Sequence, residues 1–236
     1  MKVESQYSKA KKDSMIYAFS ISIIICIPLS YVSIDVWWGK LMFEMATKTT
    51  LLLLSWKVIY EWLLNRKEKS WEKNNKNLVL RGLWHVVHYS DDEKYKSYLR
   101  LGTVILEQTM DKYFFKEGRN SSPNVEYNKH KGKSFLVERN DDRPATWGSF
   151  GNYIYSKRHG QLSGTFDVFR DAGETDGMHI ITVKDCENMN GLFFNVNSIE
   201  PNKPKRGTIY LFKDKEIAKN FYIELYNKKN ERVTHE

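Results

Sequence analysis

MIYAFSISIIICIPLSYVSI, residues 15 to 34, is a run of twenty residues without one charged side chain. A second apolar stretch, Leu41 to Leu64, follows after the six residues DVWWGK. An α-helix rises about 1.5 Å per residue, so the first run matches the ~30 Å hydrocarbon thickness of a bilayer. The pair is expected to be a transmembrane helical hairpin over residues 15–64, and a cleavable leader does not fit. The run is too long for a leader's apolar region, no small-residue cleavage site follows Ile34, and a second apolar stretch comes at once. The flanks set the expected orientation. Lys2, Lys9, Lys11 and Lys12 precede the first run, and Arg66, Lys67, Lys69, Lys73 and Lys76 follow the second, whereas the turn holds only Lys40. The positive-inside rule then predicts both termini in the cytoplasm of an inner-membrane protein.

The second run is less apolar than the first. Glu44, Lys48, Lys57 and Glu61 interrupt it, as two oppositely charged pairs spaced four apart. Such residues either sit at the interfaces, with the Lys57 stem snorkelling, or face a polar path formed by several copies. Glu44 and Lys48 are the candidate pore-lining pair on the second view.

Beyond the apolar runs lie a basic cytoplasmic segment (residues 1–14), a basic linker (65–76) and a domain over 77–236, long enough for a core of its own. The formal charge is +8, of which residues 77–236 carry +3. The high basicity is therefore largely a feature of the apolar flanks and does not point to a DNA- or RNA-binding surface. The only two cysteines, Cys26 and Cys186, are too separated to suggest a disulfide framework.

In this domain the apolar residues recur with a period of two. Short runs suited to strands lie at Leu78–Val87, Tyr98–Gln108, Tyr113–Lys116, Ser134–Arg139, Asn152–Lys157, Leu162–Arg170, Met178–Lys184, Leu192–Val196 and Thr208–Phe212. Turn-forming stretches such as EGRNSSPN, RDAGETDG and DCENMNG separate them. Eight or nine short strands with hairpin-length connections predict an all-β antiparallel barrel or sandwich. The tail KDKEIAKNFYIELYNKK places Ile217, Phe221 and Leu225 on one helical face, so a C-terminal helix is expected to close the fold.

No enzyme motif is visible. His85 and His88, three apart on a strand, point to opposite faces and cannot share a metal. Gly148 to Gly151, GSFG, reads as a hairpin turn, and Asp171, Glu174 and Asp176 lack the ligand order of a calcium loop. No cofactor is implied. Aromatic and arginine residues offer more. WGSFGNYIYSKR gathers Trp147, Tyr153, Tyr155 and Arg158, while Tyr98 and Arg100 share a strand face and Arg139 ends another strand. Aromatic faces stack on bases and guanidinium forks grip phosphate. Most barrel aromatics are nevertheless core, and strand-end arginines are usually solvated. Together these seven residues are the candidate set for a small anionic ligand near one mouth.

The organisation as a whole (two N-terminal apolar helices, a basic linker and a small barrel) resembles the membrane effectors of bacterial cyclic-oligonucleotide anti-phage defence, CBASS. The similarity is to the SMODS-associated type with two transmembrane segments and a β-strand-rich domain. The Gly82-Leu83-Trp84 step on the first strand also resembles the opening motif of lipocalin-like barrels of about eight strands. The resemblance implies a barrel that binds a cyclic dinucleotide made by a partner nucleotidyltransferase. Binding would drive homo-oligomerisation and disruption of the lipid bilayer, ending in growth arrest or cell death. Two alternatives stand beside it: a membrane-tethered carrier of a lipid or fatty acid, and a membrane protein whose barrel docks a partner.

Overall fold

The computed structural model describes residues 6–30, 38–90, 98–138, 145–169, 175–195 and 206–233; among these, side chains of residues 25–30, 38–48, 51, 169, 175–176 and 231–233 are left aside. The chain divides into two compact units, Met1–Asn75 and Lys76–Glu236.

The first unit is a pair of helices, α1 (Gln6–Ser30) and α2 (Trp38–Asn74). The transmembrane hairpin is corrected here, because among the described residues no helix is long and apolar enough to cross a membrane. The helices that form do not stop where the apolar runs stop. The first two turns of α1 hold Lys9, Lys11, Lys12 and Asp13, and α2 continues through the supposed linker to Asn74, taking in five charges between Arg66 and Glu72. Those flanks also bind one another. Trp71 Nε1 donates to Gln6 Oε1 at 2.8 Å, and Lys67 Nζ reaches Asp13 and the Ala10 carbonyl, each at 3.4 Å. Ala10, Ser14, Ala18 and Ser22, four apart along α1, are all buried, and small side chains at that spacing permit close helix contact. Glu44 and Lys48 belong to the stretch of α2 whose side chains lie outside the described residues, and residues 31–37 lie outside them altogether.

A short 3₁₀ turn, Lys76–Leu78, leads into the second unit. Ten strands follow: β1 (Gly82–Tyr89), β2 (Leu99–Thr109), β3 (Lys112–Ser121), β4 (Asn124–Asn128), β5 (Lys133–Val137), β6 (Ala145–Ser156), β7 (Gln161–Phe169), β8 (Thr175–Val183), β9 (Asn188–Asn195) and β10 (Arg206–Phe212), then α3 (Lys215–Val233). Eight close into an antiparallel barrel in the order β1-β10-β9-β8-β7-β6-β3-β2, while β4 and β5 pair apart from it as a hairpin. The expected eight-stranded barrel with a C-terminal helix is what forms. Among the described residues, closure leaves the barrel itself without a free sheet edge.

Several local readings change. EGRNSSPN, expected as a turn, lies mostly inside β3, and the Ser134–Arg139 run supplies β5, which pairs with the unexpected β4 outside the barrel. GSFG lies inside β6 rather than in a turn, where the β6–β7 register shifts between Phe150 and Ile154 and Gly151 takes a φ of 87°. A bulge there bends a twelve-residue strand around the barrel. The buried face of α3 is set by Ala218 and Tyr222, with Phe221, Leu225 and Tyr226 packed beside them, while Ile217 is 51% exposed. Spacing of three and four residues follows the helical stripe more closely than a strict step of four. Asp214 caps this helix, its Oδ1 accepting from Glu216 N at 2.7 Å and Ile217 N at 3.0 Å.

Period-two alternation sends Trp84, Val86 and His88 of β1 inward and His85, Val87 and Tyr89 outward, the latter two toward α3. The interior is filled by large rings, and space for them comes from glycines on adjacent strands. A Cβ at Gly118 would stand 2.4 Å from the Trp147 ring, at Gly164 2.6 Å from Tyr153, at Gly177 2.3 Å from Phe166 and at Gly207 2.5 Å from Phe193. Ring over glycine, strand after strand, packs a small barrel to interior density.

Candidate functional site

The barrel has two unlike ends. At the end formed by the start of β1 and the β2–β3 turn, Trp84 is fully buried and donates from Nε1 to the Leu80 carbonyl at 2.6 Å. Lys213 Nζ lies 4.5 Å from that ring's centroid and donates to the Arg81 carbonyl at 2.7 Å. Gln108 closes the rest, bonding Leu80 N, Leu78 O and Met110 O, and Tyr113 Oη donates to Leu78 O. Burial pushes the Tyr113 phenol well above its ordinary range, so it remains a donor.

The opposite mouth is lined by His88, Tyr98, Arg100, Asn120, Trp147, Phe166, His179, Phe193 and Asn195, around a cavity of about 30 Å³. That is the room of about one water molecule or one ligand oxygen. Asn120 organises its floor. With its amide turned to satisfy both ends, Oδ1 accepts from His88 Nδ1 and Trp147 Nε1, both at 3.2 Å, and Nδ2 donates to the Arg119 carbonyl at 3.1 Å. Gly102 makes this possible, since a Cβ there would meet the Asn120 amide end that donates to Arg119 at 2.1 Å and the Arg119 carbonyl at 2.0 Å. A proton on His88 Nδ1 leaves Nε2 as an acceptor.

His88 is held neutral. Burial, and after it the positive charge of Arg100, lower its pKa to about 3. His179 is pushed well below the usual imidazole range by burial, with His88 adding to the shift. It stacks on Phe166 with ring centroids 4.1 Å apart, and its Nδ1 lies 2.7 Å from Tyr153 Oη. Burial raises the Tyr153 phenol far above its ordinary pKa, which makes it the donor. The proton of His179 is then on Nε2, and that buried atom has no hydrogen-bond partner among the described residues.

Of the seven residues proposed from sequence, Tyr98, Arg100 and Trp147 meet at this mouth, with the Arg100 guanidinium 5.9 Å from the Tyr98 centroid. Tyr153 lies one layer below. Tyr155 faces the closed end, its ring 6.4 Å from Tyr113, and Arg158 is exposed in the β6–β7 turn at that same end. Arg139 lies outside the described residues. His88, Asn120, His179, Phe166 and Phe193 escaped the sequence reading. One signal was present: His88 continues the inward alternation of Trp84 and Val86, and His179 does the same with Ile181. Among the described residues no three His, Cys, Asp or Glu side chains gather as metal ligands.

Neither a protein-family model nor a curated protein matches this chain. Among solved structures, a redesigned β-barrel, mFAP1, bound to DFHBI, is similar at 10% identity and a TM-score of 0.35, covering 57% of this chain and 94% of that one.

Proposed function

We propose that the barrel is a recognition domain whose polar mouth binds a small anionic ligand with aromatic faces. The observation that carries this is the unpartnered His179 Nε2–H at the mouth cavity, where Arg100 and Tyr98 lie side by side. A buried donor without a partner costs about 1–3 kcal/mol, which a ligand oxygen would recover. Arg100 supplies a charge-assisted contact for phosphate, and Tyr98 a face for a base.

The resemblance to CBASS effectors makes a cyclic dinucleotide the first candidate, supplied by a partner nucleotidyltransferase. In that reading the ligand lies across the mouth, and binding favours a self-associated state of the whole chain whose output is growth arrest during phage infection. A population shift of this kind needs only that the ligand prefer one state. A lipid carrier fits less well, because the barrel interior that would have to hold an acyl chain is filled by Trp84, Tyr113, Phe115, Tyr153 and Phe193.

Calorimetry on the full chain with cyclic di- and trinucleotides tests the reading. At least one should bind, and Arg100→Ala should weaken it by about 1.5–3 kcal/mol, the worth of a charge-assisted hydrogen bond. Light scattering should show a larger species with that ligand only. Binding of a fatty acid, with no response to any cyclic nucleotide, would sink the proposal.

A further inference from the structure

On the outer side of the barrel wall, separated from the mouth cavity by Asn120, which borders both, β1, β2 and β3 meet the first turns of α3 at an open groove of about 520 Å³. That volume lies within the range of small-molecule sites. Its apolar lining is Leu83, Leu101 and Ala218, and its polar lining includes His85, Arg119, Lys215 and Lys219. Leu83 remains 51% exposed at the edge, an apolar side chain that the fold itself does not cover. The four basic groups come from three separate elements, β1, β3 and α3, so the clustering is made by the tertiary fold.

The balance of charge is one-sided. Lys219 pairs with Glu216 at 2.8 Å, but Arg119 and Lys215 have no carboxylate in ion-pair reach among the described residues. His85 registers the resulting field: its pKa is lowered by burial first, then by Lys215, with Lys219 adding to the effect and only Asp214 opposing. We propose that this groove is a second ligand site, taking a free small molecule that joins a phosphate group to an apolar or aromatic body. The phosphate lies between Arg119 and Lys215, where two cations offer charge-assisted contacts, and the body covers Leu83 and Leu101. The site is independent of the reading of the mouth.

The test uses full-length protein and three probes: adenosine monophosphate, adenosine, and phosphatidylglycerol vesicles. Adenosine monophosphate should bind about tenfold or more tightly than adenosine, since only the former meets the two cations. The double variant Arg119→Gln/Lys215→Gln should lose about tenfold in affinity, and Thr103→Trp, which fills the groove without altering charge, should abolish binding. Arg100→Ala, at the mouth, should leave it unchanged. On binding, the His85 imidazole should titrate at higher pH in NMR, as an anion offsets the lysine field. Equal binding of adenosine, loss through Arg100→Ala instead of the groove variants, or groove-dependent capture of vesicles without adenosine monophosphate binding would each overturn the proposal.

Discussion

The two ends of the barrel are built from the same materials and reach opposite outcomes. Each sets a tryptophan N–H, an amide side chain and a basic residue among aromatic rings. At the closed end every one of these is spent on the fold: Trp84 on Leu80, Gln108 on three backbone groups, Lys213 on Arg81. At the mouth the amide of Asn120 is likewise fully used, on His88, Trp147 and Arg119, yet His179 keeps a proton on Nε2 with no acceptor among the described residues. Saturation makes one end a plug. Incomplete satisfaction, in a site too small for bulk water, makes the other a place where a ligand atom has something to gain.

That contrast is most severely tested at Trp84. Trp84→Ala should cost about 3–5 kcal/mol of stability, the range for emptying a buried aromatic site, measured by urea unfolding. A loss below about 1 kcal/mol would mean that the closed end is not a structural plug.

The mouth should show itself through pH. His88 is neutral in the fold with a pKa near 3, and His179 also lies below its unfolded value. Below about pH 6.5 the unfolded chain takes up protons that the folded chain refuses, so their contribution is fully present above that pH and declines as pH falls. For His88 the decline between pH 6.5 and 5 should be about 1.6 kcal/mol, and His179 adds to it in the same direction. His88→Gln and His179→Gln should each flatten the slope of stability against pH, and an unchanged slope in both would show that the imidazoles are not held neutral.

A smaller effect is expected at the amide. Asn120→Ala leaves the His88 and Trp147 N–H groups without their acceptor and should cost about 1–3 kcal/mol, with a shift in Trp147 fluorescence. Arg100→Ala is the least consequential for the fold. A half-buried rim residue should change stability by within about 0.5 kcal/mol, while weakening ligand binding as described above. If the order of Asn120 and Arg100 were reversed in the melts, the rim would be part of the scaffold and not of the recognition surface.

The barrel was legible in the sequence because alternation is a local property: a residue's neighbours at i ± 2 report which face it occupies. Trp84, Val86 and His88 could be placed inward, and His85 and His88 on opposite faces, without coordinates. The capped C-terminal helix was equally local, although its stripe was read one residue away from Ala218 and Tyr222. The extent of the N-terminal helices was not legible from hydropathy alone. Helix continues through Arg66 to Asn74, where Lys67 reaches Asp13 and Trp71 bonds Gln6, contacts between distant positions that hydropathy does not report. Nor could spacing show which arginines and aromatics converge. Arg100 and Arg158 look alike as strand-end residues, and closure of the sheet carries them to opposite ends. The ring-over-glycine pairs join residues 11 to 29 positions apart, and the network of Asn120, His88, Trp147 and His179 joins residues 27 to 91 positions apart. The sequence by itself determined most of the barrel strands and the final helix, since alternation and helical spacing depend on near neighbours. Only tertiary structure decided the site, because hydrogen bonds and burial depend on which distant side chains barrel closure brings into contact.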